Sequence, residues 1–183
     1  MGPITLTGVF IASDVDRRLA KAAVAGQDDA FTALFETHHQ EVYRTALAVL
    51  GRHEPALDAV QETFFKVHQG LGSWRGEASL RTWIVRIAVR CAIDLRRRSA
   101  ADPGSSTPAP EPWHDPRKEI DRSIRVAQVR KLADGLAGQS GLILRLRLFA
   151  GQSNQEIAAS LGLSEANVRV QLSNAVRRLR EML

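Results

Sequence analysis

The stretch Asn154-Gln-Glu-Ile-Ala-Ala-Ser-Leu-Gly-Leu-Ser-Glu-Ala-Asn-Val-Arg-Val-Gln-Leu172, continued by Ser173-Asn-Ala-Val-Arg-Arg-Leu-Arg180, reads as a helix-turn-helix. Ile157, Ala158 and Leu161 place an apolar stripe on a short first helix. Gly162 falls where that helix must stop and the chain reverse, a place that favours a residue free to take positive φ. Ser164 is positioned to cap the next helix by accepting its free backbone N–H groups. Val168, Leu172, Ala175 and Leu179 repeat at helical spacing and form its core stripe. The remaining face carries Asn167, Arg169, Gln171, Asn174, Arg177, Arg178 and Arg180. From a helix in the major groove such side chains reach base edges and phosphates. The competing reading, a plain helical hairpin with a solvated basic face, explains the Arg-rich surface less well.

Working outward, the 183 residues suit one large domain or two small helical ones. Ala, Leu, Arg, Glu and Gln dominate, no strand alternation appears, and an all-α fold is predicted. The formal net charge is +5, and the basic excess is arginine, which binds phosphate bidentately and stacks on bases. Cys91 is the single cysteine, so a disulfide within the chain and a Cys-rich zinc site are both excluded. The N-terminus lacks a basic leader region and no apolar run is long enough to span a bilayer. Cytoplasmic residence is the expectation.

Residues 99–117 hold five of the seven prolines and read as a flexible interdomain linker. They separate a domain at 14–98 from one at 118–183, with 1–13 as an N-terminal extension of no derived role. Trp113 within the linker is open to packing on a domain, to a partner, or to neither. The first domain reads as four helices. Asp14 to Ala25 is closed by Gly26. A second, capped by Asp28 or Asp29, buries Phe31, Leu34, Phe35, Val42, Ala46 and Val49 and ends at Gly51. A third, with Pro55 in its first turn, buries Val60, Phe64, Val67 and Leu71. A fourth, capped by Ser79 and running to about Arg98, turns Leu80, Ile84, Ile87, Cys91 and Leu95 inward. Gly70, Gly72 and Gly76 shape the loop between the last two.

Charge is sorted along this domain. Residues 28–62 carry seven acids against two basic side chains, whereas 75–98 carry seven arginines against Glu77 and Asp94. Arg86, Arg90 and Arg97 fall near one face of the fourth helix. An arginine-only excess beside a Trp-Arg loop fits a single-strand surface better than a merely solvated face.

Together these pieces resemble the extracytoplasmic-function (ECF, group 4) sigma factors of the sigma-70 family. The resemblance rests on Ala25-Gly-Gln-Asp-Asp-Ala-Phe-Thr-Ala-Leu-Phe35, Ala59-Val-Gln-Glu-Thr-Phe-Phe-Lys-Val67, Trp74-Arg-Gly-Glu-Ala-Ser-Leu-Arg-Thr-Trp-Ile-Val-Arg-Ile-Ala88, Asp94-Leu-Arg-Arg-Arg98 and Leu144-Arg-Leu-Arg-Leu-Phe-Ala-Gly-Gln-Ser-Asn-Gln-Glu-Ile-Ala158. It covers nearly the whole chain outside the linker and the first dozen residues. It implies a sigma region 2 bundle that grips core RNA polymerase through Asp58, Gln61, Glu62 and Phe65. It implies capture of an unstacked minus-10 base by Trp74, Arg75, Glu77, Ser79, Arg86, Arg90 and Arg97. It implies a region 4 helix-turn-helix that reads the minus-35 duplex through Ser164, Asn167, Arg169, Gln171 and Asn174, with Arg177 and Arg178 on phosphates. The β′ and β subunits of the polymerase, promoter DNA and an anti-sigma factor are the implied partners, with no cofactor and no metal. Three positions depart from the family pattern: Arg90 stands where Asn is usual, Leu136-Ala137 where Leu-Pro is usual, and Asn154 where Tyr is common.

Other classes fit less well. A helix-turn-helix regulator independent of polymerase needs neither the charge sorting nor the Trp-Arg-Gly-Glu loop, and an anti-sigma decoy needs no intact DNA face. For an enzyme, the five histidines are scattered, His38 lies on a stripe side, Cys91 on a core stripe, and neither a phosphate loop nor an HExxH motif is present.

Overall fold

The computed structural model describes residues 14–101, 133, 135–136 and 138–182. The N-terminal extension, Trp113 and the linker beyond Ala101 lie outside the described residues. The described fold is all-α, with helices α1 (Asp14–Val24), α2 (Asp28–Leu50), α3 (His53–Gly70), α4 (Leu80–Ala101), α5 (Gly138–Phe149), α6 (Asn154–Leu161) and α7 (Glu165–Glu181), and a 3₁₀ turn at Leu71–Ser73.

Local chemistry sets most of these boundaries. Gly51 ends α2 in the left-handed region at φ 73°, its N–H bonding the Leu47 carbonyl. Gln27, not Asp28 or Asp29, is the N-cap of α2, and it makes no side-chain capping bond. The two aspartates lie inside the first turn, where their charge meets the positive end of the helix dipole. Ser79 Oγ accepts the Thr82 backbone N–H at 3.1 Å and so caps α4. That helix continues to Ala101 rather than stopping near Arg98, because Ser99, Ala100 and Ala101 contain no breaker and Pro103 is the first residue that opposes helix.

The bundle α1–α4 closes around Leu34, Val42, Phe64, Val67, Leu71, Leu80, Ile84 and Ala88, with Trp74 and Trp83 packed at its edge. Most of the expected stripes are inward. Phe35 is the exception at 40% exposure; it lies on Phe64 and His39 at the rim. Cys91 is fully buried, and burial pushes its thiol pKa up. His38 is half-buried, and loss of water lowers its pKa against the opposing pull of Glu41 and Asp16.

A second core joins the two groups of helices. Ala46, Ala48, Val49, Ala56, Ala59, Val85, Val89 and Ala92 share one cluster with Ile143, Leu146, Ile157, Ala158 and Val168. The alanines on the N-terminal side leave the backbones of α2 and α4 open to close approach by α5 and α6. Polar groups cross the same seam. Arg145 is buried, donating from Nε to the Ala48 carbonyl at 3.1 Å and from Nη1 to the Ala133 carbonyl at 3.0 Å. Gln152 Nε2 donates to Thr45 Oγ1 at 3.4 Å. Arg81 of α4 is forked between Glu41 of α2 and Glu156 of α6, with Nε 2.9 Å from Glu41 Oε2.

One glycine in α5 has no substitute. A Cβ on buried Gly141 would fall well inside contact with the Leu136 carbonyl oxygen and 3.1 Å from Leu136 Cβ. Backbone rather than a movable side chain is in the way. Gly141→Ala is therefore expected to destabilise the protein by about 2–3 kcal/mol through overpacking. A denaturation midpoint equal to that of the unsubstituted protein would contradict this.

Candidate nucleic-acid and partner surfaces

The loop between α3 and α4 is built by its glycines and by two buried ends. Leu71 and Leu80 anchor it in the bundle core, and Gly76 turns it at φ 73°. The half-buried indole of Trp74 is held between them and lines two recesses. One, of about 350 Å³, is bordered by Ser73, Arg75, Glu77, Ala78, Trp83 and Arg86. The other, of about 370 Å³, is bordered by α1 and by Leu71, Gly72, Arg75 and Gly76. Trp74 Nε1 and Arg86 Nε are buried donors with no partner, which a folded protein normally avoids at a cost of about 1–3 kcal/mol each. Both residues border the first recess, with the two nitrogens themselves shielded from solvent. An aromatic-walled recess bordered by arginines suits a planar ligand, and an unpaired base is one.

The structure brings Trp74, Arg75, Glu77 and Arg86 together around this recess. Ser79 is separated from them in role, since its hydroxyl caps α4 and lies 2.9 Å from Thr82 Oγ1. Arg90 and Arg97 are exposed on α4 and do not line the recess. The proposed polymerase-facing side chains on α3 form an exposed face. Asp58 and Gln61 are open to solvent, and Phe65 is 63% exposed, with Leu57 beside it on the same helix at 48%. Glu62 is the exception, because it is paired with Lys66 at 2.8 Å and with Arg98 of α4 at 3.0 Å. The Lys66 hydrogen bond in particular holds its carboxyl below the usual carboxylate range. The acidic helix and the basic end of α4 are thus in contact.

The helix-turn-helix forms as the sequence requires. Ser153 and Glu156 make a reciprocal capping box on α6, Ser153 Oγ accepting from Glu156 N at 3.2 Å and Glu156 Oε2 accepting from Ser153 N at 2.7 Å. Gly162 ends α6 at φ 69°, and Ser164 Oγ accepts the Asn167 N–H at 3.2 Å. Asn167, Arg169, Arg177 and Arg178 are exposed on α7, Asn174 is half-buried, and Val168 and Ala175 are buried. Arg169 is paired with Glu165 one turn before it at 3.1 Å. Gln171 departs from the expected DNA-facing role: it is half-buried and its Oε1 accepts from Ser140 of α5. One turn from both Val168 and Ala175, it flanks the core stripe. An open groove beside this face is lined by Arg147, Leu172, Ser173, Val176, Arg177 and Arg180.

Sequence reasoning passed over Arg81, Glu41 and Glu156, which pair only after folding. It also passed over Arg145, whose signal was its place inside the apolar run Leu144-Arg-Leu-Arg-Leu148. Among the described residues no helix is long and apolar enough to cross a membrane.

Comparison with known proteins agrees with this geometry. Residues 34–101 match the family model Sigma-70 region 2, and residues 127–179 match Sigma-70, region 4. The ECF RNA polymerase sigma factor SigM of Mycobacterium tuberculosis is 31% identical over 92% of this chain and 84% of its own length. RNA polymerase sigma factor YlaC of Bacillus subtilis is 30% identical over 80% of this chain and 88% of its own. Among solved structures, CnrH in complex with the cytosolic domain of CnrY superposes with a TM-score of 0.68 at 25% identity, covering 92% of this chain and 97% of that one.

Proposed function

Because the chain belongs to the sigma-70 family, in its extracytoplasmic-function branch, it is a promoter-directing sigma factor, and we propose how its surfaces divide that work. Residues 14–98 act as the unit that grips core RNA polymerase and opens the minus-10 element, and 118–183 as the unit that reads the minus-35 duplex, with 99–117 spanning them. On α3, Asp58, Gln61 and Phe65 take the polymerase, an apolar anchor flanked by polar groups, and Glu62 completes the face once Arg98 and Lys66 are drawn away. Trp74, Arg75, Glu77 and Arg86 take a base of the melted strand, while exposed Arg90 and Arg97 neutralise its backbone.

The observation that carries this reading is a recess walled by two indoles, Trp74 and Trp83, and bordered by Arg75 and Arg86. In duplex DNA the Watson–Crick edges are engaged, so a recess of this kind rewards only an unpaired base. Binding energy realised only on the open strand drives melting. Phosphodiester chemistry belongs to the polymerase, and the protein acts in the cytoplasm. An anti-sigma factor is a further proposed partner, supported by the likeness to CnrH, whose structure contains the cytosolic domain of CnrY.

The direct test combines the protein with sigma-free core polymerase and a fragmented genome, and maps transcript 5′ ends. Discrete starts that share two spaced upstream motifs are expected; binding to duplex DNA with no starts would refute the reading. On α7, Asn167→Ala and Arg169→Ala are expected to relax base preference at single minus-35 positions by about 1–3 kcal/mol. Arg177→Ala should weaken all sequences alike and lower the salt slope by about one. Competition binding over a randomised minus-35 library separates these outcomes, and equal effects from all three would contradict the division.

A further inference from the structure

The second recess beside Trp74 is used by none of the functions above. It lies between α1 and the 3₁₀ turn, and its lining comprises Arg17, Lys21 and Arg75 over Ala20, Val24 and Leu71, closed on one side by Trp74. Three features distinguish it. Among the described residues its lining holds three cations and no acid. Arg17, Lys21 and Arg75 take part in none of the salt bridges or side-chain hydrogen bonds among the described residues, although Asp14 and Asp16 lie on the same helix. Its wall, the Trp74 indole, is also the wall of the base-accepting recess, and Arg75 lines both.

Uncompensated cations grouped at one recess repel one another, so the arrangement favours an anion. An apolar floor and an aromatic wall add a preference for a flat, partly apolar body attached to that anion. Phosphate joined to a base has this chemistry, and single-strand proteins pair a cationic backbone track with aromatic stacking platforms. Gly72 and Gly76 keep the rim free of side chains, and a Cβ on Gly72 would lie 3.9 Å from Val24 Cγ1. The continuity through Trp74 and Arg75 selects among phosphate sources. A ligand here shares its wall with the base next door, as two successive nucleotides of one strand would.

We propose that the recess between α1 and the 3₁₀ turn is a second nucleotide site. It takes the nucleotide adjacent to the captured minus-10 base, its base against Trp74, Leu71 and Val24 and its phosphate on Arg17, Lys21 and Arg75. The proposal rests on the minus-10 reading of the Trp74 loop. It makes Trp74 a divider between two neighbouring unstacked bases and brings α1, a helix with no role so far, into strand selection.

The test uses holoenzyme assembled from the full chain and core polymerase, with fork-junction DNA carrying a mapped minus-10 element. One non-template nucleotide at a time is made abasic. Two adjacent positions are expected to be sensitive, each weakening binding by about tenfold. Val24→Trp fills the recess from a position that is 56% exposed, so folding is spared. In that variant one of the two positions should become insensitive while the other keeps its effect. Arg17→Ala with Lys21→Ala should lower the slope of log affinity against log salt by about 1.4, two single-strand contacts at ~0.7 each. The charge-preserving pair Arg17→Lys with Lys21→Arg should restore it. Core-polymerase affinity serves as the folding control for each variant. A single sensitive position in the unsubstituted holoenzyme, or two that persist in Val24→Trp, would overturn the second site and leave the first intact. No sensitive position and no preference for fork over duplex would overturn both.

Discussion

Replacing Trp74 with Ala is expected to leave core-polymerase binding unchanged and to reduce promoter opening by about ten- to a hundredfold. The magnitude follows from stacking, which contributes about 1–3 kcal/mol per base on an aromatic side chain. Trp74 lines two recesses, so its truncation removes the stacking surface of both. Permanganate reactivity of unpaired thymines in the minus-10 region reports opening directly. Trp74→Phe keeps an aromatic face of smaller area and should recover part of the activity. Trp74 also packs at the edge of the α1–α4 core, so the thermal midpoint of the free protein is compared alongside. Normal permanganate reactivity in a folded Trp74→Ala protein would remove the loop from the opening mechanism.

The seam between the helix groups leads to a second large effect. Minus-35 and minus-10 elements are separated by about 25 base pairs, or ~85 Å at ~3.4 Å per base pair. In this structure α6 of the helix-turn-helix is hydrogen-bonded to α4 beside the Trp74 loop through Arg81 and Glu156. On the division of roles proposed above, the closed arrangement cannot occupy both elements, and the seam is expected to open on the promoter. Glu156→Gln is the informative substitution. Glutamine keeps the capping box with Ser153 but removes one of the two carboxylates that hold Arg81. Arg81 is 41% exposed, so screening limits the loss to about 1–2 kcal/mol. The open fraction should rise roughly five- to thirtyfold. Fluorescence energy transfer between dyes at Gln27→Cys and Glu181→Cys measures it, since native Cys91 is buried. An unchanged distance distribution in Glu156→Gln would show that this pair does not hold the seam.

The same pair fixes the pH response. Burial by itself would raise the Glu156 pKa, but the Ser153 N–H and the Arg81 guanidinium together bring it below the ordinary carboxylate value. A lowered folded-state pKa means stability that is present above the unfolded value, 4.5, and is lost as pH falls through the folded one. The contribution of Glu156 to the seam is expected to be insensitive to pH around neutrality and to weaken only in acid, and Glu156→Gln should reduce the acid dependence.

The helix boundaries and the helix-turn-helix were legible in the sequence because their causes are local. Gly51 and Gly162 lie at left-handed positions, Ser79 and Ser164 cap the helices that follow them, and Val168 and Ala175 lie on a period that any folded context must bury. The Trp74 loop was legible from composition, since an indole and an arginine between glycines are poor material for a core. Less was visible where a side chain has two local options. Gln171 could face DNA or α5 by spacing alone, and only the approach of Ser140 turned it inward. Asp28 and Asp29 were plausible caps, yet the helix began one residue earlier than a capping role would need.

The sequence by itself determined the all-α class, the helix-turn-helix and the arginine-rich α4, since each depends on hydrogen bonds and periodicity within a few residues. The tertiary structure alone decided that Arg81 meets Glu41 and Glu156, 40 and 75 residues away, that Arg145 is buried on two carbonyls, and that Trp74 divides two recesses. Those outcomes depend on which helix faces approach each other. That choice is made by the total apolar area the faces bury, a sum over distant residues that no local pattern contains.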